Sequence, residues 1–377
     1  MSLFKWELKK IFQQKTIYIV AVFLLGFLSL NAFDREDRSA NREVYREWAG
    51  PFTAGKLEKA NKLNEELTKK LPENEDLGVL SARERVEYGL GETLAYSQNS
   101  VDQAKNAMAR LDKRIKKAEA KGDDSAVSKL KLEKQMFSKV EVNTFAYHDA
   151  PQEVVDTVNT FGLVFSGLLL VVGLAGIYSN ERSSGVENYI LSAKNGREKI
   201  MRAKLYAAFL YSLAVVVVWE LYSLGVWTYL YGTDGWNLPI QYSFKYYFSP
   251  YSMTFTEYHF MQMGLHLLAT LALAGVIVIV SMISRSSMIA LFGAGVVFGF
   301  PVFVESMLGM EDGWVNKLLT YSLTNIMKVE GLFMNFKSVS LLGMPVIAPY
   351  IGIAVSIIIL ALAVYFTRFL IVRKQVA

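Results

Sequence analysis

Residues 17–33 read IYIVAVFLLGFLSLNAF, and residues 34–38 that follow read DREDR. That junction decides the fold. An apolar run of about 20 residues is what a helix needs to cross a hydrocarbon layer about 30 Å thick, and 17–33 comes close. From 34 to about 155 the chain is charged and helix-patterned. Five further apolar segments then follow with little between them, at about 158–178, 205–231, 263–283, 288–308 and 346–371. The layout predicts an all-α membrane protein: six transmembrane helices, with a helical bundle inserted between spans one and two over 34–155.

Hydrophobic residues make up 52% of the 377-residue chain and charged residues 20%. The average hides two materials. Residues 34–150 hold 22 of the 40 Lys/Arg and 22 of the 35 Asp/Glu, leaving 18 and 13 for everything else. A soluble enzyme core explains this less well than a membrane domain, because apolar runs of spanning length recur six times. The absence of cysteine excludes thiolate metal sites, catalytic thiols and disulfides. Lys5, Lys9, Lys10 and Lys15 precede the first apolar stretch as in a signal peptide, but no convincing cleavage site follows, Asn31-Ala32 being only a faint one. An uncleaved first span is expected.

Charge sets the orientation. Segments 1–16, 179–204, 284–287 and 367–377 hold 14 Lys/Arg against 4 acids. The short segments on the other side, about 232–262 and 305–345, hold Lys245, Lys317, Lys328 and Lys337 against six acids. Excess Lys/Arg marks the cytoplasmic face, and long domains cross largely regardless of charge. Both termini are therefore expected inside a bacterial cell membrane, and 34–155 outside. Over residues 1–16, Phe4, Leu8, Ile11 and Phe12 share a helical stripe while Lys5, Lys9 and Gln13 fall elsewhere. This predicts an amphipathic helix lying among lipid headgroups.

In the insert, Leu57, Ala60, Asn64, Leu67 and Leu71 are spaced 3, 4, 3, 4, and Val101, Ala104, Met108, Leu111, Ile115 and Ala118 repeat the rhythm. Lys121-Gly122-Asp123-Asp124 breaks it, with Asp as the next helix cap, before Val127, Leu130, Phe137 and Val140 resume it. A helical hairpin over about 99–145 is expected, packed by a helix at 54–71 and a shorter one near 81–95. His148 beside Asp149 reads as a surface hydrogen bond, and the runs Lys113–Lys117 and Glu73–Asp76 read as solvated faces. The functional alternative is a docking or gating surface.

Residues 179–204 read SNERSSGVENYILSAKNGREKIMRAK. Val186, Tyr189 and Ile190 share one helical face, so a short surface helix is expected; the plainer alternative is a basic loop that only fixes topology. Glu181-Arg182-x-x-Gly185, Tyr189-Ile190-Leu191-Ser192, Gly196-Arg197-Glu198-Lys199-Ile200 and then Lys204 resemble the cytoplasmic loop of ABC-2 type permeases. There an acid and a Gly precede a short coupling helix, a Leu-Ser step and a basic residue follow, and a Lys opens the third span. The start, Phe4-Lys5-x-Glu7-Leu8-Lys9-Lys10, looks like that family's amphipathic opening. The resemblance covers most of the chain outside the insert, which is the departure, since many members have only a short loop there. It implies a membrane subunit paired with a second permease, identical or related. Two cytoplasmic ATP-binding subunits would dock on the coupling helices, at a contact formed by Glu181, Arg182, Gly185, Glu187, Tyr189 and Arg197. The chain has no G-x-x-x-x-G-K-[ST], so ATP and Mg²⁺ would be held by the partner. No cofactor, metal or nucleic acid is expected on this chain, and lipid is its other partner.

Within the spans, Glu220 stands in VVVVWELYSL. An intramembrane carboxylate usually faces a bundle interior or a wet path. It reads either as a substrate or proton contact, with Glu305 a second residue on that path, or as a structural hydrogen bond to a Tyr or Ser nearby. His259 and His266 have only Glu257 at hand, so no metal is expected. Gly295 and Gly299, four apart in span five, predict close helix contact. The amphipathic stretch 309–345 is expected to re-enter the outer leaflet, as re-entrant helices do between spans five and six of ABC-2 permeases. Trp227, Tyr229, Tyr231, Trp236, Tyr242, Tyr246 and Tyr247 are expected as an outer aromatic belt.

These features favour a non-catalytic permease subunit of an ATP-driven transporter. By analogy it would export or clear a peptide of antimicrobial or lantibiotic type, or a lipid-like amphiphile. The alternative is a membrane sensor whose outer helical domain binds a ligand, but the longest cytoplasmic segment, about 26 residues, is short for a signalling region. No clustered His/Asp set or nucleophile with an adjacent base points to an enzyme.

Overall fold

In a computed structural model of the chain, residues 2–33, 38–51, 53–72, 76–142, 144–192, 196–308 and 314–374 are described. Glu73–Glu75 of the charged run and Glu311-Asp312-Gly313 near the start of the stretch 309–345 lie outside them, as do the side chains of Val101, Ala104, Trp314 and Lys317. The described residues are mostly helical and include six helices long and apolar enough to cross a membrane. Helix α1, Leu3–Phe12, leads into span one, α2, Lys15–Phe33. The insert contributes α3 Arg38–Glu47, α4 Ala54–Thr68, α5 Ala82–Glu119 and α6 Asp124–Phe137. Span two is built from α7 Asp149–Thr157, a π-helical turn Val158–Gly162, α8 Leu163–Leu174 and α9 Gly176–Ser183. The short α10, Val186–Ser192, precedes spans three, four and five: α11 Gly196–Tyr231, α12 Phe255–Ile283 and α13 Ser287–Leu308. Three short helices follow, α14 Trp314–Thr320, α15 Leu323–Lys328 and α16 Glu330–Phe333, before span six, α17 Ala348–Arg373.

Spans two and four bury 72% and 61% of their most apolar windows, span five only 11%. The first two are therefore the heart of the bundle, and span five is the least buried span, although Ala290 and Ala294 are buried and Phe298 packs against the core. Close approach depends on glycines other than the expected pair. A Cβ on Gly167 would strike the Phe298 ring, one on Gly162 the Trp219 ring, and one on Gly275 would lie 2.8 Å from the Ala363 Cβ. Gly295 and Gly299 have no atom within 4 Å of such a position. The contact expected of them is not made within the chain.

The insert differs from expectation in one respect. The segment near 81–95 and the first arm of the hairpin are one helix, α5. The polar Ser97-Gln98-Asn99-Ser100 looks like a break but contains neither Gly nor Pro, so the helix runs on for about 57 Å at 1.5 Å per residue. Helix α4 packs on its first half through Ala60 and Leu90; α6 packs on its second through Leu111, Ile115 and Leu130. Asp123 caps α6 by accepting from the Ala126 N–H, and Gly122 supplies the positive φ of the turn before it. A two-residue ladder, β1 Gly50–Pro51 against β2 Thr144–Phe145, closes the neck where the insert leaves the bundle.

The loops sort to two ends. The insert touches the loops after spans three and five: Arg42 and Arg46 pair with Asp234, and Ser125 donates to Ser340. The other end gathers α1, α9, α10, the turn between spans four and five, and the end of span six. Five of the seven aromatics expected as a belt, Trp227, Tyr231, Tyr242, Tyr246 and Tyr247, are buried instead. The 232–254 loop folds back over the bundle and takes Tyr242 and Tyr246 inside, while Trp227 and Tyr231 of α11 pack with Leu28, Ala32, Tyr147 and Val154. His148 is likewise buried, against Tyr242 and Phe255, with its Nδ1 3.0 Å from the Ala146 carbonyl. Burial first of all holds its pKa below the ordinary histidine value, and Asp149 accepts instead from Asn41.

Replacing Gly275 by Leu should lower the stability of the detergent-solubilised protein by about 1–3 kcal/mol, as overpacking does. Gly295→Leu in the same assay should stay within about 0.5 kcal/mol. Thermal unfolding of the two variants side by side checks this.

Candidate functional site

The end opposite the insert is organised around a buried charge. Phe4, Leu8 and Phe12 of α1 pack against the core and Ile11 is buried, as the stripe predicts. Glu7 lies between them, three residues after Phe4 and four before Ile11, so the same periodicity carries a carboxylate inward; it is 2% exposed. An acid on an apolar stripe was the signal available in the sequence.

Its partner is Lys204, in the third turn of α11 and 1% exposed. An ammonium has three N–H groups, and Lys204 spends them on Glu7 Oε2 at 2.9 Å, Glu181 Oε1 at 2.9 Å and the Ile177 carbonyl at 2.6 Å. Lys10 bridges the same two carboxylates at 2.7 and 2.9 Å. Two lysines and two glutamates thus form a neutral knot joining α1, the end of span two and the start of span three. The Tyr178 ring lies 5.0 Å from the Lys204 ammonium. Partial burial works against the charge on Lys10, but Glu181 and Glu7 together hold its pKa above the ordinary lysine value. Lys10 therefore stays charged through neutral pH. A cavity of about 300 Å³ opens beside the knot, lined in part by Lys10, Gln14 and Asn180.

The other residues expected at a partner contact extend from this knot. Gly185 takes a φ of +73° in the turn between α9 and α10, which favours glycine. Arg182 donates to the Ile283 and Ser284 carbonyls at 3.2 and 3.3 Å, closing the end of span four. Glu187 pairs with Lys374 beyond span six, and Arg197 donates to the Val372 carbonyl at 2.8 Å. Each arginine sits where a helix C-terminus favours a cation. Glu181, Arg182, Glu187 and Arg197 are therefore all engaged within the chain. Tyr189, 81% exposed, points away from it, flanked by exposed Val186 and Asn188.

A second set of polar groups lies inside the bundle. Glu220 is met by His259 Nε2 at 2.8 Å, not by a Tyr or Ser. The expectation placed His259 outside span four. A Thr254–Glu257 capping box starts that helix at Phe255 instead, bringing His259 within it and occupying Glu257. Among the described residues no three His, Asp or Glu side chains gather as a metal site. Glu305 is half-buried at the end of span five and acts on Lys337, a different neighbourhood; burial pulls Lys337 below the ordinary lysine value and Glu305 opposes this.

Deeper in, Trp219 Nε1 donates to Ser166 Oγ at 3.0 Å, Ser166 lies 2.9 Å from His266 Nε2, and His266 Nδ1 lies 2.7 Å from the Met327 carbonyl. A carbonyl only accepts, so Nδ1 carries the proton, Nε2 accepts, and Ser166 donates to it. One neutral tautomer satisfies the whole chain. It ties spans two, three and four to α15, about 16 Å along α12 from Phe255 at 1.5 Å per residue. Nearby, the π-helical turn is matched by Gln262, which donates to the Val155 carbonyl at 3.0 Å and to Asn159 at 2.8 Å. Asn159 donates to Tyr246, itself 2.6 Å from Tyr258. Lys245 joins Asp156 and Glu330. None of these pairs is spaced in the sequence so as to announce itself.

No protein-family model matches the chain, and neither does a curated protein or a solved structure.

Lys204→Met leaves the buried Glu7 and its neighbour Glu181 to share only the half-exposed Lys10 and should cost about 3–5 kcal/mol. Glu7→Leu combined with Lys204→Met removes one charge of each sign, leaves the Lys10–Glu181 pair, and should recover much of that loss. Unfolding of the wild type, both single variants and the double variant in detergent measures the coupling.

Proposed function

We propose that this chain is the membrane permease subunit of an ATP-driven transporter of the ABC-2 type, with residues 34–155 outside the cell and α10 as its coupling helix on the inside. The observation that carries the reading is the mechanical setting of α10. It has seven residues and an exposed Tyr189. The turn before it is tied through Glu181 to span three and through Arg182 to span four, and Glu187 ties the helix itself to the end of span six. A protein pressing on Tyr189 would move several spans at once. A basic loop that only fixed topology would need no such ties. The 14-to-4 excess of Lys/Arg over acids on that side supports the inward orientation.

The chain has no phosphate-binding loop, so hydrolysis belongs to a separate ATPase holding ATP and Mg²⁺. The open face of span five, with Gly295 and Gly299, is where a second permease would pack. The cargo class, a peptide or a lipid-like amphiphile, follows by analogy from an outer domain of this size. In this reading the seam from Glu220–His259 to His266 holds the bundle together as much as it lines a path.

Co-expressed with a candidate ATP-binding subunit from its own genome, the chain should form a complex and stimulate hydrolysis. Tyr189→Asp should weaken that complex about tenfold, the size of one interface hot spot, while leaving thermal stability unchanged. Absence of both complex and stimulation for the wild type would sink the reading. A Tyr189→Asp variant that binds normally would move the contact elsewhere.

A further inference from the structure

Thirty residues, from Ser338 to Thr367, carry no Asp, Glu, Lys or Arg. A spanning helix needs about 20, and here the uncharged run begins ten residues before span six does. Those ten fold as a hairpin: β3 Ser338–Leu341, a Leu342-Gly343 turn with φ of +50° and +82°, and β4 Met344–Ile347. The register pairs Val339 with Val346 and Leu341 with Met344, so these four side chains share one face. Ser338, Ser340, Pro345 and Ile347 share the other.

The hairpin is turned inside out. Its serine-bearing face lies toward α6, where Ser125 donates to Ser340 at 3.2 Å. Its wholly apolar face looks outward, with Val339 at 42%, Leu341 at 55%, Met344 at 68% and Leu342 at the tip at 100% exposure. A two-faced antiparallel pair in water hides the apolar side.

We propose that this hairpin is a lipid-inserted mooring: its apolar face lies in the bilayer surface on the insert side, and its polar face carries α6. Three features choose lipid as the occupant. Strand β4 runs straight into α17 without a linker, so the tip at Leu342 is at most about 20 Å from the start of the span at 3.3 Å per residue. That reach covers a headgroup zone about 6 Å deep plus the top of the acyl chains. Exposed apolar surface continues onto the first turn of the span at Tyr350, 61% exposed. Finally, four side chains and a tip leucine fall short of the roughly 800 Å² per partner that a stable protein interface buries. Moored in this way, the insert is held at a fixed height and tilt above the bilayer. The inference needs only that the six helices span a membrane, and stands or falls separately from the ATPase reading.

The chain contains no cysteine, so a single introduced thiol can carry a unique probe. Leu342→Cys and Met344→Cys, each in the full chain, would be labelled with a small environment-sensitive fluorophore and reconstituted in phosphatidylethanolamine–phosphatidylglycerol vesicles. Ser128→Cys, on the exposed surface of α6, is the aqueous reference. Probes at 342 and 344 should be quenched by lipids bearing a nitroxide high on the acyl chain. They should also be quenched several-fold less by iodide than the probe at 128. Adding Leu341→Glu to Met344→Cys should return that probe to iodide. Iodide quenching equal to the reference, with no effect of nitroxide lipid, would overturn the mooring. So would self-quenching between copies that rises with protein density while nitroxide lipid has no effect, because the occupant would then be a second chain.

Discussion

Lys204 is the constraint on which the basic end depends. A lysine ammonium at 1% exposure is tolerable only if each of its N–H groups is met and its charge is balanced. Meeting those conditions requires Glu7 from α1, Glu181 from the end of span two and the Ile177 carbonyl, all at once. The N-terminal helix is thereby fixed to the bundle instead of floating on headgroups. The turn that follows Glu181 has one permitted course, through Gly185 in a left-handed conformation and into α10. Arg182 and Arg197 complete the block by closing the carbonyl ends of spans four and six.

The bundle interior obeys the same rule with neutral groups. Trp219, Ser166 and His266 are joined across spans two, three and four, and the π-helical turn in span two is met by Gln262. Val329, a buried β-branched residue with a φ of +61°, separates α15 from α16 and is strained there. The strain lets α15 end with the Met327 carbonyl against His266 while α16 turns back so that Glu330 meets Lys245. On the insert side, cohesion is looser: surface ion pairs to Asp234, two hydroxyl pairs and a two-residue ladder.

Much of this was legible in the chain. Six apolar segments of spanning length, the amphipathic stripe of α1, the Asp123 cap and the heptads of α4 and α6 are local signals, and the helices formed where those signals lay. What could not be read is long-range or depends on context. Glu220 and His259 lie 39 positions apart, and their meeting depends on where a capping box starts span four. Gly295 and Gly299 have the spacing of a helix contact, but spacing does not say which face turns inward. The hairpin at 338–347 was missed because its residues alternate with strand periodicity inside a stretch read as helical. The aromatics of the 232–254 loop were assigned to lipid because composition cannot distinguish an interface belt from a loop folded over the bundle.

The proposed orientation puts the Lys204 knot and α10 on the inner side of the membrane and the insert on the outer. Since the chain has no cysteine, single thiols introduced by Asn188→Cys in α10 and Ser128→Cys in α6 can be probed in intact cells with a membrane-impermeant maleimide. The account predicts that the thiol at 128 reacts in intact cells and the thiol at 188 only after the membrane is opened. Reaction at 188 in intact cells with protection at 128 would contradict it.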